Sequence, residues 1–268
     1  MKRWLTAVVM VPPLIGVIVY LPPWCFVVMV ASVATVALEE FFKLARATDI
    51  KVYRWAGHVY SVMLLASFYW DSEDQSAVFW VLTLATISFL ILTLYRGHKL
   101  QDTLPSCGVT LLGIVYVSIM MGFLVAIHSQ PTGQGPGWIL YLLLTVWLGD
   151  TSAYYVGRRL GKRKLAPRLS PRKTWEGAIG GLLGNTLAAL IGQHLVPQSP
   201  TIHLLLLSCL IGIAGQAGDL AESAMKRGAD TKDSSHLLPG HGGILDRIDS
   251  VLFGAPILFW YLRLFGRL

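Results

Sequence analysis

Residues 77–95 read AVFWVLTLATISFLILTLY, a run of 19 residues without a charged side chain. A helix of this length spans the hydrocarbon core of a bilayer, which takes about 20 helical residues. The rest of the chain has the same character, since 54% of its 268 residues are hydrophobic and only 14% are charged. Soluble domains carry about 25% charged residues. The composition therefore excludes an ordinary soluble domain and predicts an integral membrane protein.

Similar apolar stretches recur along the chain and predict an all-α, polytopic membrane protein with about nine transmembrane helices. These lie at residues 4–21, 24–42, 55–70, 77–95, 105–127, 138–157, 176–195, 202–222 and 250–266. The first stretch follows Lys2 and Arg3, as the apolar part of a signal peptide follows basic residues. However, prolines stand where a cleavage site needs small residues. We therefore expect this stretch to be retained as a helix.

The Lys and Arg residues divide unevenly between the two sides of the predicted membrane. If the nine helices alternate in direction, every Lys and Arg except Arg263 and Arg267 lies on the same side as the N-terminus. The opposite side is acidic at residues 71–74. Because cytoplasmic loops are enriched in Lys and Arg, we expect the N-terminus and the basic loops in the cytoplasm. The net charge of +7 then suits anionic headgroups or a phosphorylated substrate at that face.

The predicted helices divide into two regions with different polar content. Residues 1–137 form structural or lipid-facing helices, and we interpret Glu39 and Glu40 as solvated or paired surface residues rather than catalytic ones. Residues 138–268 form the predicted catalytic region. Its polar side chains concentrate in two cytoplasmic loops, at 158–175 and 223–249.

Two predicted helices carry a carboxylate within the cytoplasmic half of the membrane. At 1.5 Å per helical residue, Asp150 lies about 12 Å from Arg158, and Asp219 lies about 10 Å from Lys226. An isolated carboxylate at this depth is costly, so each must be paired, protonated or bound to a cation. For Asp150, a buried ion pair and a functional role are equally consistent with the sequence.

Asp219 begins a set of polar residues with helical spacing. Glu222 follows at i+3 and Ser223 at i+4, and a second acidic pair, Asp246 and Asp249, has the same i, i+3 spacing. Such hard oxygen ligands suit Mg²⁺, which takes one or two carboxylates and leaves positions for water and substrate phosphates. The segment has no Cys to supply the sulfur ligands that zinc prefers. The predicted metal ligands are Asp219, Asp246, Glu222 and Asp249, with Asp150 as a further candidate.

Basic and glycine residues around these carboxylates predict a nucleotide site. Gly240, Gly242 and Gly243 lack side chains, so backbone N–H groups can approach phosphate oxygens just before the last helix. A glycine turn alone is more often an ordinary loop, but here cations surround it and can neutralise phosphates. The predicted phosphate-binding cations are Lys226, Arg227, Lys232, His241 and Arg247, with Arg172 and Lys173 from the preceding basic loop.

A second group of glycines predicts helix packing instead. Gly177, Gly180, Gly181 and Gly184 are spaced i, i+3, i+4 and i+7, so they share one helix face. Small residues on one face of a membrane helix let a neighbouring helix approach closely. We therefore expect this stripe to be a packing face rather than a phosphate site.

The residues from 149 to 250 resemble the phosphatidate cytidylyltransferases, or CDP-diacylglycerol synthases. Upstream, the resemblance rests on DTSAY from Asp150, GKRKLAP from Gly161 and SPRKTWEG from Ser170, with Arg172 where a lysine is common. The N-terminal helices match that family only in hydrophobic character. The signature itself comprises Ser223, Lys226-Arg227, Lys232-Asp233, Pro239, His241-Gly242-Gly243, Asp246-Arg247 and Asp249.

The resemblance implies that CTP and phosphatidate react to give CDP-diacylglycerol and pyrophosphate at the cytoplasmic face of a bacterial inner membrane. The lipid phosphate is already anionic, so its attack on the α-phosphorus needs alignment and cations rather than a strong base. Mg²⁺, a second cation such as K⁺ and a homodimer are also implied, without a nucleic-acid partner. The implied catalytic residues are Asp219, Asp246, Lys226 and Arg227; the implied substrate-binding residues are Ser223, Lys232, His241, Gly242, Gly243 and Arg247, with Arg172 and Lys173 for the lipid phosphate or pyrophosphate.

Two other functions use similar residues. A CTP-dependent lipid kinase of the polyprenol type would transfer the γ-phosphate instead. An ion-coupled transporter would use Asp150 and Asp219 as a cation site, but such sites usually lie at the membrane midplane within inverted repeats. The carboxylates here cluster toward one face, which disfavours the transporter.

Overall fold

A computed structural model describes residues 2–71, 76–95, 99–232, 234–235 and 242–265, without the side chains of residues 2–10 and 95. The described chain is mainly helical and divides into two compact units. The first unit contains Met1–Ser129 and Gly228–Arg247, and the second contains Gln130–Arg227 and Ile248–Leu268.

The first unit is built from helices alone in its described residues. A 3₁₀ turn at Leu100–Asp102 precedes the fifth helix, and a π-helical segment at Ile114–Ile119 joins the fifth helix to the sixth. The helices are α1 (Lys2–Tyr20), α2 (Pro23–Ala47), α3 (Arg54–Trp70), α4 (Ser76–Tyr95), α5 (Thr103–Gly113) and α6 (Met120–His128).

The second unit contains helices and one small sheet. Its elements are α7 (Gly135–Leu160), β1 (Lys164–Ala166), β2 (Ser170–Thr174), α8 (Trp175–Gly192), α9 (Thr201–Gly228) and α10 (Leu245–Leu264). The last residue of α9 and the first three residues of α10 are assigned to the first unit. The strands form an antiparallel hairpin that pairs Lys164 with Thr174 and Ala166 with Ser170. The sequence did not predict this hairpin, because short strands rich in charged residues carry no alternation of apolar and polar side chains.

The predicted all-α membrane fold is confirmed in outline, with this hairpin as the exception within the described residues. Each of the nine predicted stretches is helical over most of its length, and α5, the π-helical segment and α6 together make the fifth. The count of nine crossings stays a prediction. Within the part of the chain that the structure describes, five segments have both the length and the hydropathy to cross a membrane: Pro23–Ala47, Ser76–Leu94, Leu100–His128, Gly135–Leu160 and Thr201–Gly228.

In the first unit, aromatic rings of α2 lie against glycines of neighbouring helices. A methyl group added to Gly57 would lie 2.7 Å from the ring of Phe42, and one added to Gly113 would lie 2.8 Å from the ring of Phe41. Both rings are buried. Because close-packed interiors resist displacement, these contacts fix the part of α2 that contains the two rings and Glu40, the residue before Phe41.

In the second unit, the predicted glycine packing face of α8 is confirmed. Gly177, Gly180, Gly181 and Gly184 all lie against α7. A methyl group on Gly180 would lie 2.5 Å from Val156, and one on Gly184 would lie 2.6 Å from the carbonyl oxygen of Leu148. Only glycine allows the two backbones to come this close, so the stripe fixes the helix pair that carries Asp150 and the hairpin.

The start of α8 depends on a side-chain cap. Thr174 Oγ1 accepts a hydrogen bond of 3.1 Å from the backbone N–H of Gly177. We expect Thr174→Val, which keeps the side-chain volume but removes this acceptor, to cost about 1 kcal/mol. In thermal unfolding of the detergent-solubilised protein, this cost corresponds to a Tm lower by about 2–4 °C. Thr174→Ser keeps the cap and is the control; equal stability of the valine variant would contradict the capping role.

Candidate active site

Three carboxylates of α7, α9 and α10 form an acidic centre in the second unit. Asp249 is buried, and its carboxylate interacts electrostatically with Asp219, Asp150 and the cation Lys173. Lys173 Nζ lies 2.5 Å from Asp219 Oδ2. The structure therefore places two of the predicted metal ligands, Asp219 and Asp150, within electrostatic range of a third, Asp249, and pairs a predicted substrate-binding cation with Asp219. We call these four residues the acidic centre.

Glycine on α9 explains how the acidic centre forms. Gly218 immediately precedes Asp219, and a methyl group there would lie 2.5 Å from the carbonyl oxygen of Asp249. Another glycine one turn earlier, Gly215, also contacts α10, where a methyl group would lie 3.3 Å from Ser250 Cβ. The small residues let α9 and α10 approach until carboxylates on both helices interact.

The donor set of the acidic centre fits Mg²⁺. Among the residues that the structure describes, no three His, Cys, Asp or Glu side chains form a ready-made metal cluster. Mg²⁺ does not require one, because it is often held by one or two carboxylates and completes its shell with water and substrate phosphates. Asp219 and the buried Asp249 supply two such carboxylates.

The β-hairpin delivers the basic residues of the preceding loop to α9. Lys173 on β2 pairs with Asp219, while Arg227 near the end of α9 donates from Nε to the carbonyl oxygen of Leu169 at 3.3 Å. Arg172, the neighbouring predicted phosphate ligand, is exposed. Hydrogen bonds and charge thus attach the hairpin to the helix at two positions. Sequence reasoning named these cations but not the element that orients them.

The polar face of α9 continues one turn beyond Asp219. Ser223 Oγ donates weakly to Asp219 Oδ1 at 3.5 Å, in agreement with the predicted shared face. Glu222 is 1% exposed, and its Oε2 lies 2.6 Å from Lys226 Nζ. A carboxylate this deeply buried needs such a cation. The metal-binding role of Glu222 and the catalytic role of Lys226 stay predictions.

Asp246 organises the segment before α10, in the first unit. Its Oδ2 accepts hydrogen bonds from Ser234 N at 3.1 Å, Ser234 Oγ at 2.8 Å and Gly243 N at 2.8 Å. In the structure, the Gly243 N–H is therefore directed at a carboxylate rather than at solvent. The metal-binding role of Asp246 stays a prediction.

Glycine is favoured at each of the two described glycine positions of the signature for a different physical reason. Gly242 has φ of +77°, in the left-handed region that favours glycine. Gly243 has no space for a side chain, since a methyl group would collide with Ser234 Oγ and lie 2.5 Å from Glu40 Oε2.

The structure describes some of the remaining predicted substrate ligands and leaves others outside the described residues. Lys232 and Arg247 are exposed. Asp233, Pro239, Gly240 and His241 lie outside the described residues. The phosphate-binding roles of Lys232, His241 and Arg247 stay predictions.

Sequence reasoning missed Glu40. The prediction of a surface role is wrong for this residue, which is 2% exposed and lies against residues 234–235 and 242–246, which we call the signature segment. The prediction of a paired role is confirmed for the neighbouring Glu39, which pairs with Arg46 and Arg54. A signal was present, because Glu40 shares its helix face with the apolar Ala37, and a carboxylate on the apolar face of a membrane helix indicates function.

A helical membrane protein in which Lys173 pairs with Asp219 and Lys226 pairs with the buried Glu222 has the features of a membrane enzyme that handles phosphate groups. Residues 1–265 match the model of the Cytidylyltransferase family, and the chain belongs to this family.

Curated relatives share one name. The chain is 36% identical over 250 residues to the phosphatidate cytidylyltransferase of Bacillus subtilis (strain 168), a match that covers 90% of each chain. It is 42% identical over 190 residues to that of Staphylococcus haemolyticus (strain JCSC1435), covering 69% of this chain and 72% of the relative. The similarity therefore extends well beyond the signature segment.

Proposed function

We propose that this chain transfers the CMP moiety of CTP to phosphatidate in phospholipid biosynthesis. A phosphate oxygen of phosphatidate attacks the α-phosphorus of CTP, and the bond from that phosphorus to the oxygen bridging the β-phosphorus breaks. The products are CDP-diacylglycerol and pyrophosphate. Family membership and the relatives support the activity, and the acidic centre, with Lys173 on Asp219 beside the buried Asp249, is the observation that carries the mechanism.

The residues of the acidic centre have separate tasks in this proposal. Asp219 and Asp249 would hold Mg²⁺, and the bound ion would supply charge neutralisation for the phosphates and the leaving pyrophosphate. Lys173 exchanges its carboxylate partner for a phosphate oxygen, and the exposed Arg172 next to it binds the lipid phosphate or pyrophosphate. Because the attacking oxygen is already anionic, these residues align and neutralise rather than remove a proton.

Further ligands come from the signature. We propose Asp246 as a metal ligand, with Glu222 and Asp150 as additional ligands or supporting partners, and K⁺ as a second cation. The family resemblance also supports a homodimer. The triphosphate is bound by Lys226, Arg227, Lys232, His241 and Arg247, with Ser223 and the glycines Gly242 and Gly243.

The proposed location is a bacterial inner membrane, with nine crossings, a cytoplasmic N-terminus and the active site on the cytoplasmic side. The distribution of Lys and Arg supports this orientation, since the loops at 158–175 and 223–249 are on the basic side. The same loops contain the cations that the reaction needs.

A double-label experiment separates cytidylyl transfer from a lipid kinase. Purified protein is incubated with phosphatidate, Mg²⁺ and CTP that is labelled at either the α- or the γ-phosphorus. We expect α label in the lipid product and γ label in pyrophosphate, because the bond to the α-phosphorus is the one that reacts. A polyprenol incubation under the same conditions is the control. Label that enters the lipid only when CTP is labelled at the γ-phosphorus would overturn the proposed function in favour of kinase activity.

A further inference from the structure

We infer that Glu40 is a positioning residue for this reaction and that its carboxylate holds the signature segment so that Asp246 has a fixed location. Glu40 lies on α2, about 200 residues before that segment in the chain. Both belong to the first unit. The inference rests on the proposed role of Asp246.

Both oxygens of the Glu40 carboxylate accept hydrogen bonds from the segment. Ser235 Oγ donates to Oε1 at 2.5 Å, and Ser234 Oγ lies 3.2 Å from Oε2. The backbone N–H of Ile244 donates to Oε1 at 3.1 Å, and that of Leu245 donates to Oε2 at 2.8 Å. Since a buried carboxylate is costly without partners, three donors and the nearby Ser234 hydroxyl around a residue that is 2% exposed indicate a built contact.

Two of these donors, the N–H groups of Ile244 and Leu245, lie at the start of α10. The first N–H groups of a helix have no carbonyl partner within the helix, and a negative charge there is favourable. An N-cap is usually a residue that directly precedes the helix. Here Glu40 supplies that acceptor from a distant helix, because Ile244, which directly precedes α10, has an apolar side chain that cannot accept a hydrogen bond.

Ser234 connects Glu40 to Asp246. Its hydroxyl lies 3.2 Å from Glu40 Oε2 and 2.8 Å from Asp246 Oδ2. Gly243 fits against the same atoms, donates its N–H to Asp246 Oδ2, and leaves no space for a side chain. The position of Asp246 is thus determined by a chain of contacts that begins at Glu40. Movement of a reacting group by about 1 Å can lower a rate by about 100-fold, so loss of this support should affect turnover.

The test compares Glu40→Gln with Glu39→Gln, the same change one residue earlier. Glutamine keeps the size but places an NH₂ group against N–H donors. We expect kcat for CTP to fall ~30-fold in Glu40→Gln and to stay within about threefold of wild type in Glu39→Gln, whose carboxylate pairs with Arg46 and Arg54 at the surface. A Glu40→Gln rate within threefold of wild type would overturn the inference.

A second pair of variants leaves Glu40 intact and applies if Glu40→Gln does not fold. Ser234→Ala removes the hydroxyl between the two carboxylates, whereas Ser235→Ala removes a donor to Glu40. We expect about a tenfold fall in kcat for Ser234→Ala and a smaller fall for Ser235→Ala. Equal rates for wild type and Ser234→Ala would contradict positioning through Ser234.

The combination of variants distinguishes positioning from general destabilisation. If Glu40 acts through Ser234, kcat of Glu40→Gln/Ser234→Ala should be close to that of Glu40→Gln alone, while independent effects would multiply and refute the inference. The activity of Asp246→Asn tests the proposed role of Asp246 separately from the inference about Glu40. An inactive Asp246→Asn with a fully active Glu40→Gln removes only the inference, whereas an active Asp246→Asn removes the proposed role of Asp246.

Discussion

Replacing Asp246 with asparagine is expected to lower turnover ~1000-fold or more, because in the proposed mechanism it removes the charge of a metal ligand. Asparagine has almost the same volume and keeps one carbonyl oxygen, which can still accept from Ser234 and Gly243. The protein should therefore be expressed, inserted into the membrane and extracted by detergent as well as wild type. Incorporation of label from α-labelled CTP into lipid measures the effect.

The control for this change is Asp49→Asn. Asp49 is exposed beyond the end of α2 and has φ of +60°, a conformation that asparagine tolerates well. We expect wild-type activity in this variant. Activity close to wild type in Asp246→Asn would exclude Asp246 as a required metal ligand.

The second large effect is expected for Gly184→Val. A Cβ atom at this position would collide with Ser152 Oγ and lie 2.6 Å from the carbonyl oxygen of Leu148, and valine adds two further methyl groups. The backbone of α7 cannot yield cheaply, so we expect a loss of more than ~3 kcal/mol, a large part of a typical folding free energy. Yield after detergent extraction and the Tm of the extracted protein should both fall.

Gly108→Val provides the same chemical change without the collision. Gly108 lies within α5, and a methyl group there would meet no atom within 4 Å. This variant should resemble wild type, apart from the small difference in helix propensity. If Gly184→Val has the same Tm as Gly108→Val, the close contact of α7 and α8 does not determine stability.

Local patterns explain which parts of the molecule were predictable. The apolar runs gave the helix positions, and the i, i+3, i+4, i+7 spacing of Gly177 to Gly184 gave the face that packs on α7. The spacing of Asp219 and Ser223 likewise gave their shared face on α9. Each of these features depends on residues within a few helical turns, and side-chain periodicity carries that information directly.

Contacts between distant segments explain what was missed. Nothing in the sequence near Glu40 indicates that its partners are Ile244 and Leu245, because helical periodicity gives a face but not the segment that covers it. The pairing of Lys173 with Asp219 was hidden for a related reason, since it depends on a hairpin whose short, charged strands lack a periodic signal. Both omissions concern the site, where chemistry requires polar groups on otherwise apolar elements.

The link from Glu40 to the start of α10 also constrains how the protein is made. Synthesis proceeds at about 5–20 residues per second, so roughly 10–40 s separate the appearance of Glu40 from that of Leu245. Until Ser234 is synthesised, α2 already contains the carboxylate, but none of the partners that this segment supplies in the finished protein exists. The signature segment is therefore among the last parts to assemble, because a chain that ends before Ser234 lacks every partner that this segment supplies to the Glu40 carboxylate.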